Sequence, residues 1–470
     1  NIFSNYFSEV KEKDIFGLTD ELKAIFISQK YKKENKNILV LVNSLYEASK
    51  IYQKLLNYEK NVLFFPMDDF ITSEVLAVSP EFKLNRLNTL NSLYNGKYIV
   101  VTNLMGFLRY LPSKKLWMDS KIILKKDTEV NKDELFRKLL LIGYVSDTIV
   151  NKTGEVSNRG YILDVFSSNN DNPIRIEFWG DTIDSIRYFD VESQRSLEEI
   201  NECEIRPYSE FINEKMIEDI PDYQKYLPYV VNEVSSLLSY VDDPLMIYKD
   251  YNQIKKSYKR LREEIFEYSS SKEEEYKTEY MHDFSSLEQN NNNIYLMTID
   301  NVIDIKSINK IYNYSSRLPE KFESNFKYLN EYLEKQLYSN KIVIIALSDE
   351  SKLKNIEKYL TVSTILTNEN DLSKGKVNII NSNLDEGFEF DNYVVLTENE
   401  LFKNRDKKTN YKNKFKYGSK IKDIDNLKVG DYVVHLNHGI GMYTGIKTLT
   451  KNGNKKDYIE VSYKDNDKLY

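Results

Sequence analysis

The sequence predicts a multidomain α/β protein. A helicase-type α/β domain comes first, then an α+β stretch, a second small α/β domain and a small C-terminal β-barrel. Three observations predict this. Apolar runs of strand length alternate with helical stretches over residues 1–117, and again from Pro319. Between them, Val156 to Ser196 reads as three short β-runs separated by turn signals. Near the end, closely spaced glycines punctuate an alternating run, the mark of a small, strongly bent barrel.

In chain order, Glu21 to Lys30 reads as a helix and Asn37 to Asn43 (NILVLVN) as a buried parallel strand. Leu45 to Tyr58 is an amphipathic helix. Asn61 to Phe65 and Tyr98 to Thr102 are further strands, with a helix over Phe82 to Tyr94 between them. This alternation argues a doubly wound sheet of the nucleotide-binding kind. Ahead of the first strand stands Gln29-Lys30-Tyr31-Lys32-Lys33, read as a solvated helix end, with phosphate attraction as the alternative. Nowhere does a Gly precede Gly-Lys-Ser/Thr by four residues, the spacing whose backbone amides cradle phosphates. Gly96-Lys97 and Gly375-Lys376 both lack the partner glycine.

The α+β stretch runs from Trp117 to about Pro207, led by a helix over Lys132 to Ile142. Its β-runs are Tyr161 to Phe166, Ile174 to Trp179 and Thr182 to Phe189. In the middle run a period of two sets Ile174, Ile176 and Phe178 on a core face and Arg175, Glu177 and Trp179 on the other. Trp and Arg are the residue types that dominate binding hot spots. The alternative is that Trp179 covers the sheet edge. Residues 208–318 are acidic and rich in tyrosine, with helices expected over Val230 to Val241 and Asn252 to Tyr268 and a strand over Ile294 to Thr298. Ser269 to Glu275 reads as a turn or mobile loop with a solvated acidic face.

From Pro319 a new unit opens. Ser324 to Leu337 is helical with Ser324 as N-cap, and Lys341 to Leu347 is an apolar strand. Ser351 to Leu360 is a second helix; Val377 to Ile380 and Tyr393 to Leu396 are strands. Lys403 to Lys422 then carries nine basic residues and one acidic one, a solvated tether or a DNA contact. His435 and His438 sit in the glycine-punctuated run, where a structural role outweighs metal binding because Cys203 and His282 are the only other such residues.

Charged residues make up 30% and the net charge is −7, which excludes an all-over nucleic-acid coat while leaving local basic patches possible. A single cysteine excludes a disulfide framework and fits a reducing cytoplasm. No apolar run approaches the roughly 18 residues of a membrane helix.

Arg159-Gly160 followed by an apolar run ending in Asp164-Val165-Phe166 resembles a module of two bacterial repair proteins. So do Arg175-Ile176-Glu177-Phe178-Trp179 and Phe189-Asp190 with Gln194-Arg195-Ser196. The two are the excision-repair helicase UvrB and the transcription-repair coupling factors. The missing phosphate loop, Phe65-Pro66-Met67-Asp68-Asp69, Ser79-Pro80-Glu81 and Arg86-Leu87 resemble the coupling-factor version. Asn383 to Phe388 and Val394 to Phe402 resemble that family's third domain. Val429 to His435 and His438 to Ile446 are similar to its RNA-polymerase-interacting domain, a CarD/Tudor-like β-barrel.

The resemblance implies a UvrB-like domain in two parts (1–117 and 208–318) around a UvrA-binding module (118–207). A small α/β domain (319–402), a basic linker (403–425) and the barrel (426–470) follow, the barrel incomplete because the chain stops inside its second hairpin. It implies that Arg159, Arg175 and Trp179 face UvrA, although the family pattern has phenylalanine at Trp179. It also implies that Lys447, Thr448 and Leu449 lie on the contact with the RNA polymerase β-subunit. ATP and Mg would be bound by the family's DNA translocase beyond residue 470, leaving no cofactor, metal or catalytic residue here. DNA would be held mainly by those motor domains, and the protein would be a monomer of the bacterial cytoplasm. Two competing readings are a UvrB-like damage-binding ATPase, which needs a phosphate loop, and a free-standing CarD-like regulator, which leaves everything before the barrel unexplained.

Overall fold

Seven short runs of branched and aromatic residues form one wholly parallel sheet in the computed structural model. They are Asp14–Phe16, Ile38–Val42, Val62–Phe65, Ile99–Asn103, Leu245–Lys249, Asn293–Met297 and Ile311–Asn313. The structure describes residues 7, 14–68, 80–217, 220–270, 279–288, 293–298, 311–403, 429–435, 439–451, 454–462 and 468–469. These fall into two units, 1–413 and 414–470. A parallel strand covered on both faces reads as an unbroken apolar run, and Ile38–Val42 is buried at every position. Leu245–Lys249, which no sequence pattern announced, pairs with Ile38–Val42 on one side and Asn293–Met297 on the other. The chain thus completes the middle of its first sheet only after the insertion.

Three expected helices change. The first, Asp20–Glu34, buries Gln29 and Lys30, so only its last turn from Lys32 is solvated. Val230 to Val241 is broken into Leu227–Val230, a two-residue strand Val234–Ser235 and Leu237–Tyr240. β-Branched and serine residues favour helix weakly, and pairing of Val234–Ser235 with Leu111–Pro112 wins. In the later unit the helix is Phe326–Tyr338, capped by Asn325, whose side chain accepts from the Tyr328 amide; Ser324 has φ +67° instead. The Ser269 to Glu275 reading falls mainly on residues outside those described.

The small five-stranded sheet runs Thr364–Leu366, Val377–Asn381, Ile342–Leu347, Tyr393–Thr397, Phe388–Phe390, the last antiparallel. Alternation along Ile342–Leu347 serves two cores. Ile344 and Ala346 join the cluster of the large sheet, while Val343, Ile345 and Leu347 pack with Leu329 and Leu333 of the Phe326–Tyr338 helix. The Asn383 to Phe388 motif closes this junction. Asp385 accepts from Asn57 at 3.0 Å, and Glu386 accepts from the buried Lys54 at 3.4 Å.

The insertion enters and leaves through one antiparallel pair, Ile122–Lys125 with Glu202–Ile205. Between them lies a six-stranded sheet ordered Ser196–Ile200, Thr182–Phe189, Ile174–Trp179, Ile162–Val165, Glu155–Arg159, Val145–Ser146. Its core face packs on Leu135 and Leu139 of the Lys132–Leu141 helix. In the second unit the described residues form a four-stranded antiparallel sheet of Tyr432–His435, Gly439–Lys451, Asn454–Ser462 and Lys468–Leu469. A register shift between Tyr443 and Gly445, the latter at φ +128°, bends its longest strand.

Candidate docking face of the inserted module

The period-two reading of Ile174–Trp179 holds in the packing. Ile174, Ile176 and Phe178 are buried with the Lys132–Leu141 helix, and Arg175, Glu177 and Trp179 take the other side. Trp179 is 83% exposed and Tyr161 is 64% exposed. They stand at the same end of the sheet, on neighbouring hairpins tied by the Phe178 amide donating to the Tyr161 carbonyl at 2.9 Å. Each turn is made by a glycine in the left-handed region, Gly160 at φ +57° and Gly180 at +62°. Trp179 is therefore no cover for the sheet edge.

Behind these aromatics runs a ladder of charges. Asp164, wholly buried in the strand beside Arg175, takes 2.8 Å hydrogen bonds from Arg175 Nε and Nη2, one on each carboxylate oxygen. Arg159 Nη2 adds a third at 2.8 Å. Arg175 also lies 4.4 Å over the Phe189 ring and donates to the Gln194 carbonyl and side chain at 3.4 Å. Its pKa is raised, with the hydrogen bond to Asp164 as the largest cause and burial acting against it. Two residues on in the same strand, Glu177 accepts from Arg187 and Ser185 of the neighbouring strand.

The two arginines that the resemblance turns towards a partner therefore differ. Arg159 keeps 43% of its side-chain surface, whereas Arg175 keeps 14% and points into an internal pair. The Arg175 guanidinium is thus engaged mainly within the module, and Arg159 is the more exposed of the two. Sequence reasoning missed Asp164 and Tyr161 as members of the face. The available signal was an aspartate within the Tyr161 to Phe166 run, which the observed register sets opposite Arg175.

The residues that the resemblance sets on a polymerase contact lie in the second unit. Thr448 and Leu449 belong to the strand Gly439–Lys451, opposite Asp457 and Lys456, and their side chains fall outside the described residues. Lys447 is exposed, 3.4 Å from Glu460, which also accepts from Thr444 at 3.0 Å. His438, the side chain of His435, and linker residues 404–428 lie outside the description as well.

The turn from strand Asp14–Phe16 into helix Asp20–Glu34 is where strand–loop–helix folds hold a triphosphate. Here it is only Gly17-Leu18-Thr19, and the helix opens on two carboxylates. Lys50 and Lys23 bond Asp20 at 2.9 and 3.4 Å, and Lys54 bonds the buried Glu21 at 2.6 Å. Burial pushes Asp20 up, but Lys23, Lys249 and Lys50 together hold it well below the usual carboxylate range. Burial outweighs Lys54 at Glu21 and raises its pKa. The cations a polyphosphate needs are already neutralised, so these residues do not fit ATP. Among the described residues no helix is long and apolar enough to cross a membrane.

An α/β body interrupted by such a module, with a small β-sheet in the second unit, defines a multidomain α/β protein. Residues 122–211 match the UvrB interaction domain, and residues 427–470 match the CarD-like/TRCF RID domain. The chain is 30% identical to the transcription-repair-coupling factor of Bacillus subtilis (strain 168), covering 100% of this chain and 45% of the relative. It is 28% identical to that of Staphylococcus haemolyticus (strain JCSC1435), covering 97% and 44%. The chain belongs to the transcription-repair-coupling factor family, and it spans a little under half the length of the relatives it matches.

Proposed function

We propose that this chain acts in transcription-coupled DNA repair as a two-sided adaptor. The inserted module docks on UvrA, and the C-terminal sheet holds RNA polymerase through its β-subunit around Lys447, Thr448 and Leu449. Polymerase release by ATP-driven DNA translocation is work of the intact family. DNA contact, too, belongs mainly to the motor domains of the intact family. The setting is the bacterial cytoplasm, and the adaptor works as a monomer.

The observation that carries the UvrA reading is Trp179, 83% exposed beside a half-exposed arginine on the polar face of the module. A large indole held in water on a rigid hairpin suits a partner pocket that is apolar at its centre and acidic at its rim. Trp179→Ala is expected to weaken UvrA binding at least tenfold in a titration of the full chain. Its unfolding midpoint and polymerase binding should stay at wild-type values. Unchanged UvrA affinity in that variant would remove the main support for the docking face. A UvrB-like ATPase is disfavoured by the carboxylates that open the helix Asp20–Glu34.

A further inference from the structure

We infer that Asp164 is the positioning residue of this face: it ties up Arg175 and aims Arg159, leaving Arg159, Trp179 and Tyr161 to touch UvrA. The inference rests on the docking reading above and divides the labour within it.

The division follows from counting donors. A guanidinium offers five N–H groups. Arg175 directs Nε and Nη2 at Asp164, shares Nη1 and Nη2 with Gln194, and covers Phe189 with its flat face. Little of it remains for a partner. Gln194 is itself fixed, donating to the Val191 carbonyl at 2.9 Å from a backbone at φ +56°. Arg159 places one Nη2 bond on Asp164 and keeps 43% of its side-chain surface exposed.

One carboxylate between two guanidiniums leaves a net positive charge, and the exposed end of that triad is Arg159. Anchoring this long side chain at one corner lowers the entropy lost when it docks. Arg159 also precedes the Gly160 turn, which neighbours the Trp179-Gly180 turn. One buried carboxylate therefore registers the charged and the aromatic contacts against each other. The matching partner feature is a carboxylate flanked by apolar surface.

The test is a double-mutant cycle on UvrA binding by the full chain, with Asp164→Asn and Arg159→Ala alone and together. Asp164→Asn is expected to weaken binding at least tenfold. In the Arg159→Ala background the same change should add less than twofold, because its effect passes through Arg159. Additive losses would overturn the inference, since a merely structural aspartate acts whether or not Arg159 is present. Should Asp164→Asn fail to fold, the pair Asp164→Leu/Arg175→Met replaces the buried ions by apolar groups, a change often tolerated. That variant should show the same tenfold loss, and wild-type affinity in it would overturn the inference. If Arg159→Ala and Trp179→Ala both leave UvrA binding intact, the docking reading falls and the inference with it. If those two weaken binding and the Asp164 variants do not, only the positioning role falls.

Discussion

Glu210 sits enclosed between two guanidiniums, accepting from Arg86 Nε at 2.6 Å and Arg109 Nε at 2.9 Å. It fastens the chain leaving the insertion to the first sheet's helices. Burial pushes its pKa up, yet Arg109 and Arg86 outweigh burial and lower it. A carboxylate depressed in the folded state stabilises above its unfolded pKa, and that gain is lost as pH falls through the folded value. Stability measured by denaturant should therefore decline below about pH 4, and Glu210→Gln should flatten that decline. Arg175 obeys the same logic from the cationic side. Arg175→Ala leaves Asp164 buried with Arg159 alone, and breaking a buried pair costs roughly 3–5 kcal/mol. A lowered unfolding midpoint is expected, in contrast to Trp179→Ala, and an unshifted one would mean that Asp164 is satisfied without Arg175.

At the scale of elements, what was legible in the sequence tracks burial. Ile38–Val42, Val62–Phe65, Ile342–Leu347 and Ile174–Trp179 were readable because covered strands are apolar throughout and half-covered strands alternate. Leu245–Lys249 was not, since it follows Asp242-Asp243-Pro244 and ends on a lysine. That lysine is held by Glu47 at 2.7 Å, a partner on a distant helix that no local window contains. The docking face divided the same way. Alternation set Arg175 and Trp179 on one side, but the inward turn of Arg175 depended on Asp164 in the next strand. For the C-terminal sheet the expected outcome is that Leu449→Arg abolishes polymerase capture. Burying one leucine contributes about 1.5–3 kcal/mol, and the added charge opposes docking. Unchanged pull-down of polymerase, with the upstream unit folded in both proteins, would place the contact elsewhere.

For the whole molecule, the parallel sheet keeps the architecture of a nucleotide fold while its ligand edge is given over to internal ion pairs. Asp20, Glu47 and Asp250 face Lys23, Lys50 and Lys249 there, and Thr298 completes the set. Isothermal calorimetry with Mg-ATP is accordingly expected to give no saturable binding at micromolar concentrations. A micromolar isotherm abolished by changing Lys23 or Lys50 would contradict this account of the edge.

The paired strands Ile122–Lys125 and Glu202–Ile205 bring both ends of the insertion side by side, about 4.8 Å apart as neighbouring strands are. A segment whose two ends meet in this way is a cassette. It can be lifted out and its host rejoined by a few residues, because neither the host sheet nor the cassette's own apolar centre is cut. Ancestral exchange of one such cassette between otherwise different machines needs no redesign of either, only a host surface loop able to accept two neighbouring ends.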